Sequence, residues 1–108
     1  MYLKKINLKN RIALVTGAGK GLGRACSIAL AEAGATIIGV SRTTSDLDKL
    51  QNDIKKVKGK LIKITCDIMD YNDLYFKLKK IKKVDILVNN AGTNIPEPFE
   101  KIKQRSMN

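Results

Sequence analysis

The hydrophobic and polar positions of this chain switch between two periods. Residues 11–16 (RIALVT) are a short apolar run rich in branched side chains and bounded by Gly17, which predicts a strand. Over residues 20–33, Leu22, Ala25, Cys26, Ala29, Leu30 and Ala33 recur at helical spacing. That stripe predicts a helix, and Gly34 ends it. Residues 35–40 (ATIIGV) read as a second strand. Thr43, Thr44 and Ser45 offer N-caps to a second helix, with Asp46 and Asp48 in its first turn. Its inward face is Leu47, Leu50, Ile54 and Val57, and Gly59 closes it. Residues 60–66 (KLIKITC) predict a third strand, Asp70 a cap for a third helix carrying Leu74, Leu78 and Ile81 inward, and residues 84–89 (VDILVN) a fourth strand. Residues 1–10 read as a lead-in, and residues 93–108, with Pro96 and Pro98, as a loop and the start of another helix.

Strands alternating with helices make a βαβ series. The strands are continuous apolar runs, as expected of strands covered by helices on both faces. With right-handed crossovers the expected fold is α/β, a Rossmann-like, doubly wound parallel sheet of about four strands and three helices. One domain spans residues 1–108.

Composition narrows the partners. No apolar run approaches the roughly 20 residues that span a bilayer, and no secretory leader pattern opens the chain. Cys26 and Cys66 stand alone without C-x-x-C spacing, which predicts reduced thiols, no metal site and a cytoplasmic protein. There is no histidine, so histidine bases and ligands are excluded. A net charge of +11 invites a nucleic-acid reading. The lysines, however, cluster near predicted helix ends (Lys55, Lys56 and Lys58; Lys77, Lys79 and Lys80), where they favour the helix dipole. With Trp absent, Tyr 3 and Phe 2, no aromatic platform is interleaved with them. Nucleic acid is therefore not the expected partner.

The chemistry gathers where the first strand meets the first helix. Residues 16–23 read TGAGKGLG. Gly17 permits a tight turn, Gly21 lets backbone approach a pyrophosphate, and Gly23 lets the helix sit close to the sheet; the phosphates then face a helix N-terminus. The T-G-x-x-x-G-x-G spacing resembles the short-chain dehydrogenase/reductase family. Asp67 after the third strand and the NNAG of residues 89–92 after the fourth agree with that family in kind and order. The resemblance runs from about residue 8 onward, and the family includes the small carbonyl reductases of the 3-oxoacyl-carrier-protein type.

Several roles follow from this resemblance. Asp67 would accept from the adenine amine, with Ile68 beside the ring. Leu22 would accompany the glycine loop at the cofactor. Asn90, Ala91 and Gly92 would leave room for the cofactor ribose, and Asn89 and Asn90 would tie neighbouring strands. An acidic residue for a ribose 2′-hydroxyl is expected at the end of the second strand. That position reads Ser41-Arg42, with no carboxylate. Arg42 offers a fork suited to phosphate, Ser41 a hydroxyl, and Lys20 a second cation, so NADP(H) is favoured over NAD(H).

The resemblance also implies an Asn-Ser-Tyr-Lys proton-transfer set beyond NNAG, which the chain stops short of. No catalytic residue is assigned, and this chain alone is expected to be inactive; a full-length parent would act on a small carbonyl or alcohol substrate. Family members usually form homo-oligomers through elements mostly beyond this stretch. Tyr75 and Lys79 match Y-x-x-x-K but precede NNAG, so Tyr75 reads as a partly buried helix residue; Asn108 comes too early for the catalytic Asn. Without further strands the fourth strand is an uncovered apolar edge. That leaves a longer gene product, a fragment that folds poorly, or a partner over the edge. The competing functions are a non-catalytic dinucleotide-binding remnant and, behind it, a basic nucleic-acid module.

Overall fold

The computed structural model describes residues 6–90. Its elements run β1 (Ile12–Thr16), α1 (Gly21–Glu32), β2 (Thr36–Ser41), α2 (Thr44–Lys56), β3 (Lys60–Thr65), α3 (Tyr71–Leu78) and β4 (Ile86–Asn89). The strands form one sheet in the order β3-β2-β1-β4, and every pairing is parallel. This is the Rossmann-like arrangement expected from the βαβ series. The strand order reverses at β1, so the crevice at its carboxyl end is the topological switch point at which such sheets take ligands.

The sheet has a helix layer on each face. One core packs Ala13, Val15 and Ile37 against Leu47, Leu50 and Ile54 of α2 and Ala31 of α1. The other packs Leu14, Ile38, Val40 and Ile64 against Leu74 and Leu78 of α3. Alternate residues of β1 and β2 therefore serve opposite cores, which is why these strands are apolar throughout. At the edge, Ile86, Leu87 and Val88 of β4 are only half-buried, as expected for a strand without an outer neighbour among the described residues.

Helix α1 departs from the expected stripe. Gly23, Ser27 and Ala31 face the sheet, while Leu22 is 70% exposed and Ala25 lies on the surface. The helix approaches the sheet through its smallest side chains, so Ile28 and Leu30 pack only at the margin of the core and Leu22 turns outward. Ser27 is fully buried and satisfies its hydroxyl by donating to the Gly23 carbonyl at 2.8 Å.

Helix α2 places Leu47, Leu50 and Ile54 inward as expected. Thr43 begins it without a side-chain cap bond. The residue that takes the left-handed conformation at its end is Lys58, φ 60°, in place of the expected Gly59. The Lys58 and Gly59 amides donate to the carbonyls of Lys55 and Ile54, both at 2.9 Å, closing a Schellman turn. Gly59 is small for another reason: a Cβ there would lie 2.8 Å from Ala31 Cβ.

The Asp70 carboxylate accepts from the Asp73 amide at 3.2 Å and caps α3 as expected. Tyr75 is 52% exposed and is a surface residue instead of a partly buried one. The 8-residue helix spends its inward positions on Leu74 and Leu78, which leaves Tyr75 and Phe76 outside.

Candidate functional site

Three connections draw the carboxyl ends of the strands into one place. The Ala18 amide donates to the Val40 carbonyl at 3.1 Å, pinning the glycine loop to the end of β2. The Cys66 amide donates to the Ser41 carbonyl at 2.9 Å, pinning the segment after β3 to the same end. The third is a set of side-chain bonds between the ends of β1 and β4. Thr16, 2% exposed, donates its hydroxyl to Asn89 Oδ1 at 3.0 Å and accepts from the Asn90 amide at 3.1 Å. Asn90 Nδ2 donates to the Gly17 carbonyl at 3.4 Å. The expected tie between neighbouring strands is therefore made by both asparagines.

The glycine loop is shaped by these contacts. Gly17 and Gly21 take φ 63° and 53°, a region that suits glycine. At Gly21 nothing lies within 4 Å of where a side chain would project, so the backbone is open to an approaching group. Gly23 is the opposite case: a Cβ there would overlap the Gly17 carbonyl oxygen and lie 2.7 Å from Asn90 Nδ2. It admits α1 to the sheet. Lys20 precedes α1 without a side-chain cap bond, and the first turn carries no acidic residue. The helix N-terminus thus keeps unpaired N–H groups and its positive dipole end for an anion.

Beside this loop lies a cavity of about 340 Å³, at the small end of the roughly 300–1,000 Å³ typical of small-molecule sites. Of the residues singled out from the sequence, Gly17, Lys20, Ser41, Arg42, Asp67 and Ile68 all line it. Gly21, Leu22 and Gly23 belong to the first turn of α1 and Asn90 packs at Gly17, outside the cavity wall. Ala91, Gly92 and Asn108 lie outside the described residues. Tyr75 and Lys79 take no part in the wall.

The wall also contains residues that the sequence did not single out. Gly19 is one: a Cβ there would lie 2.6 Å from Asp46 Cβ and 3.2 Å from Ser41 Oγ. Asp46 is another, brought in by the first turn of α2, and Met69, two residues after Asp67, also lines the cavity. The glycine-loop spacing could have flagged Gly19, since it falls inside the TGAGKGLG run. Nothing in the linear sequence brings Asp46 to Gly19.

Polar groups in the wall have definite partners. Ser41 Oγ accepts from the Thr43 amide at 3.2 Å, which leaves its hydroxyl proton to donate elsewhere. One Asp67 oxygen accepts from the Met69 amide at 2.9 Å, turning the chain so that Asp67 stays exposed at the rim while Ile68 is buried beneath it. Burial, followed by the neighbouring Asp73 carboxylate, pushes the Cys66 thiol up to about 11. It is a neutral, inert part of the wall at neutral pH.

A profile of the family described as short chain dehydrogenase matches residues 11–108. The chain belongs to the short chain dehydrogenase family. The 2-dehydro-3-deoxy-D-gluconate 5-dehydrogenase of Pseudoalteromonas atlantica is 41% identical over 101 residues, which cover 89% of this chain and 40% of that protein. A metagenomic short-chain oxidoreductase in complex with NADP superposes with a TM-score of 0.71 at 28% identity, over 79% of this chain and 40% of its own. Carveol dehydrogenase from Mycobacterium avium in complex with NAD shares the fold, with a TM-score of 0.70 at 24% identity over 83% of this chain and 38% of its own. This short chain dehydrogenase sequence thus spans about 40% of the length of the curated relative it matches. No helix among the described residues is long and apolar enough to cross a membrane.

Proposed function

We propose that this chain forms the nucleotide-binding part, residues 1–108, of an oxidoreductase that exchanges hydride between NADP(H) and a carbonyl or alcohol carbon. The observation that carries the reading is the convergence of the glycine loop, the Ser41-Arg42 corner and Asp67 around one cavity at the carboxyl ends of β1, β2 and β3. These residues fit a dinucleotide. The open backbone at Gly21 and the uncapped start of α1 suit a pyrophosphate. Asp67 keeps an oxygen for an adenine amine above the apolar surface of Ile68.

When bound, a nicotinamide dinucleotide supplies the hydride chemistry. The residues of this chain bind and orient it. Arg42 and Lys20 carry the positive charge at the corner, and Ser41 adds a free hydroxyl proton, a set that favours a 2′-phosphate over a bare 2′-hydroxyl. Asn90, just past the end of β4, would border the ribose of the bound cofactor; Ala91 and Gly92, which follow it in sequence, lie outside the described residues. The region shared with the curated relative is the nucleotide side, so that relative's substrate does not transfer to this protein. The two free cysteines favour a cytoplasmic setting.

The test is a pair of titrations. NADPH and NADH are titrated into wild type and Arg42→Ala, following nicotinamide fluorescence. The expected outcome is a loss of about tenfold or more for NADPH against less than about threefold for NADH, since charge-assisted bonds to phosphate are the strong ones. Equal losses for the two cofactors would sink the NADP(H) assignment.

A further inference from the structure

The cavity corner holds a carboxylate that the sequence did not lead us to expect there. Asp46 lies in the wall with only 14% of its side chain exposed, against Gly19. Its place is fixed from two sides. The first turn of α2 holds its backbone, and the Gly19 backbone is packed so closely that no Cβ would fit between them. The Asp46 Cβ is therefore held at the corner, within reach of whatever enters it.

Lys20 is the mobile partner. Its Nζ lies 3.8 Å from Asp46 Oδ2 while its side chain is 82% exposed. An ion pair this long and this open to water contributes little and is easily exchanged. A fixed anion thus stands beside a cation that can be drawn either to it or to another anion entering the corner.

Resting on the reading of this corner as the cofactor's 2′-phosphate site, we propose that Asp46 sets the selectivity of the site by competing with that phosphate for Lys20. The competition has two parts with one sign. Binding a 2′-phosphate removes Lys20 from Asp46, and it also brings a second anion near a carboxylate anchored at the corner by its helix. Both oppose NADP(H), and neither touches NAD(H), which carries a hydroxyl at that position. Arg42, for which no ion-pair partner occurs among the described residues, supplies the attraction that Asp46 moderates. The corner is then a balanced site, with its preference for the phosphorylated cofactor held below what Arg42 and Lys20 together would give.

The experiment isolates the 2′-phosphate by using adenosine 2′,5′-bisphosphate and 5′-AMP as calorimetric probes. The proteins are wild type, Asp46→Asn, Lys20→Ala, the Lys20→Ala/Asp46→Asn double variant and Arg42→Ala. Asn keeps the shape of Asp at a helix start, and thermal melts check that each variant is folded. Asp46→Asn should tighten the bisphosphate by about fivefold to tenfold, as expected for removing a like charge a few ångströms away in partly wet surroundings, and leave 5′-AMP within about twofold. In the double variant, set against Lys20→Ala, the gain should be smaller, because only the direct repulsion between Asp46 and the phosphate is left to remove. An unchanged bisphosphate-to-AMP ratio in Asp46→Asn, with Arg42→Ala still abolishing selectivity, overturns the role of Asp46 and leaves the cofactor reading intact. A weaker bisphosphate in Asp46→Asn also overturns it, because Asp46 would then be positioning Lys20 for the ligand. Equal losses of both probes in Arg42→Ala overturn the cofactor reading, and the role of Asp46 with it.

Discussion

Two rims of the candidate site are built on different physics. The rim between β1 and α1 is set by contact. At Gly23 there is no room for a methyl group, Thr16 is 2% exposed, and Asn90 is engaged through both its main chain and its side chain. The rim between β2 and α2 is set by charge. Arg42 and Thr43 are exposed there, and the ion pair that Asp46 makes with the exposed Lys20 of the glycine loop is long and wet. Packed rims tolerate no volume change, and charged rims tolerate many. A dinucleotide site needs both, since the backbone must come close to a pyrophosphate while the corner decides which ribose substituent is accepted.

The contrast makes its strongest demand at Gly23. Gly23→Ala forces a methyl group onto the Gly17 carbonyl and Asn90. The expected cost is about 2–3 kcal/mol, at the upper end for overpacking because the obstacle is backbone. It would be measured by urea unfolding, and it should be the same at low and high salt. A neutral result would mean that α1 can shift and that this rim is not set by contact.

Asn90→Ala tests the same rim from the other strand. Deleting the side chain leaves the Gly17 carbonyl without its Nδ2–H donor but keeps the bond from the Asn90 amide to Thr16. A loss of about 1 kcal/mol is expected, the ordinary worth of one part-buried hydrogen bond. A loss as large as that of Gly23→Ala would place the weight of this rim on hydrogen bonding and away from close packing.

The packed rim also depends on how β4 is registered against β1, and a carboxylate sets that at the far end of the pair. Asp85 Oδ2 accepts from the Ile12 amide at 2.8 Å, and Arg11 and Lys83 lie at 3.6 and 3.4 Å. Burial pushes the Asp85 carboxyl up, but the Ile12 amide and the two cations outweigh it, and the net direction is down. A carboxylate that titrates lower folded than unfolded contributes stability above its unfolded value, about 3.9, and that stability is lost as the pH falls through the folded value. Stability should therefore decline below about pH 4, and Asp85→Asn should flatten part of that decline. Unfolding titrations between about pH 3 and 6 check this. An identical acid limb in the variant would show that Asp85 does not hold the register.

The two rims also differ in how far they could be read from the sequence. The packed rim was legible because TGAGKGLG carries its geometry residue by residue: a turn at Gly17, an open backbone at Gly21, a close approach at Gly23. The inward face of α2 was legible because Leu47, Leu50 and Ile54 stand out against charged neighbours. Helix α1 was misread for the converse reason. Its residues are nearly all small or apolar, so polarity gives no phase, and the buried stripe is the one with Gly23, Ser27 and Ala31. Asp46 was read only as a helix-start residue. Its place in the cavity depends on α2 folding back over Gly19, a contact between segments that no local pattern records.

The smallest expected effect is on the stability of the charged rim itself. Lys20 and Arg42 are exposed, and the only ion pair formed by either among the described residues is the Lys20–Asp46 contact at 3.8 Å. Surface charges of this kind contribute little to folding, so Lys20→Ala and Arg42→Ala should each change unfolding free energy by less than about 0.5 kcal/mol. The same substitutions should change the NADPH-to-NADH affinity ratio severalfold, and added salt should compress that change because the charges face water. The separation of the two readouts is the point of the measurement. If either variant loses more than about 1 kcal/mol of stability, its aliphatic stem is packing the corner and the charged rim is partly a contact rim as well. If stability is untouched and the ratio moves, one rim keeps the chain folded while the other sets which cofactor it takes, and the second can be retuned without endangering the first.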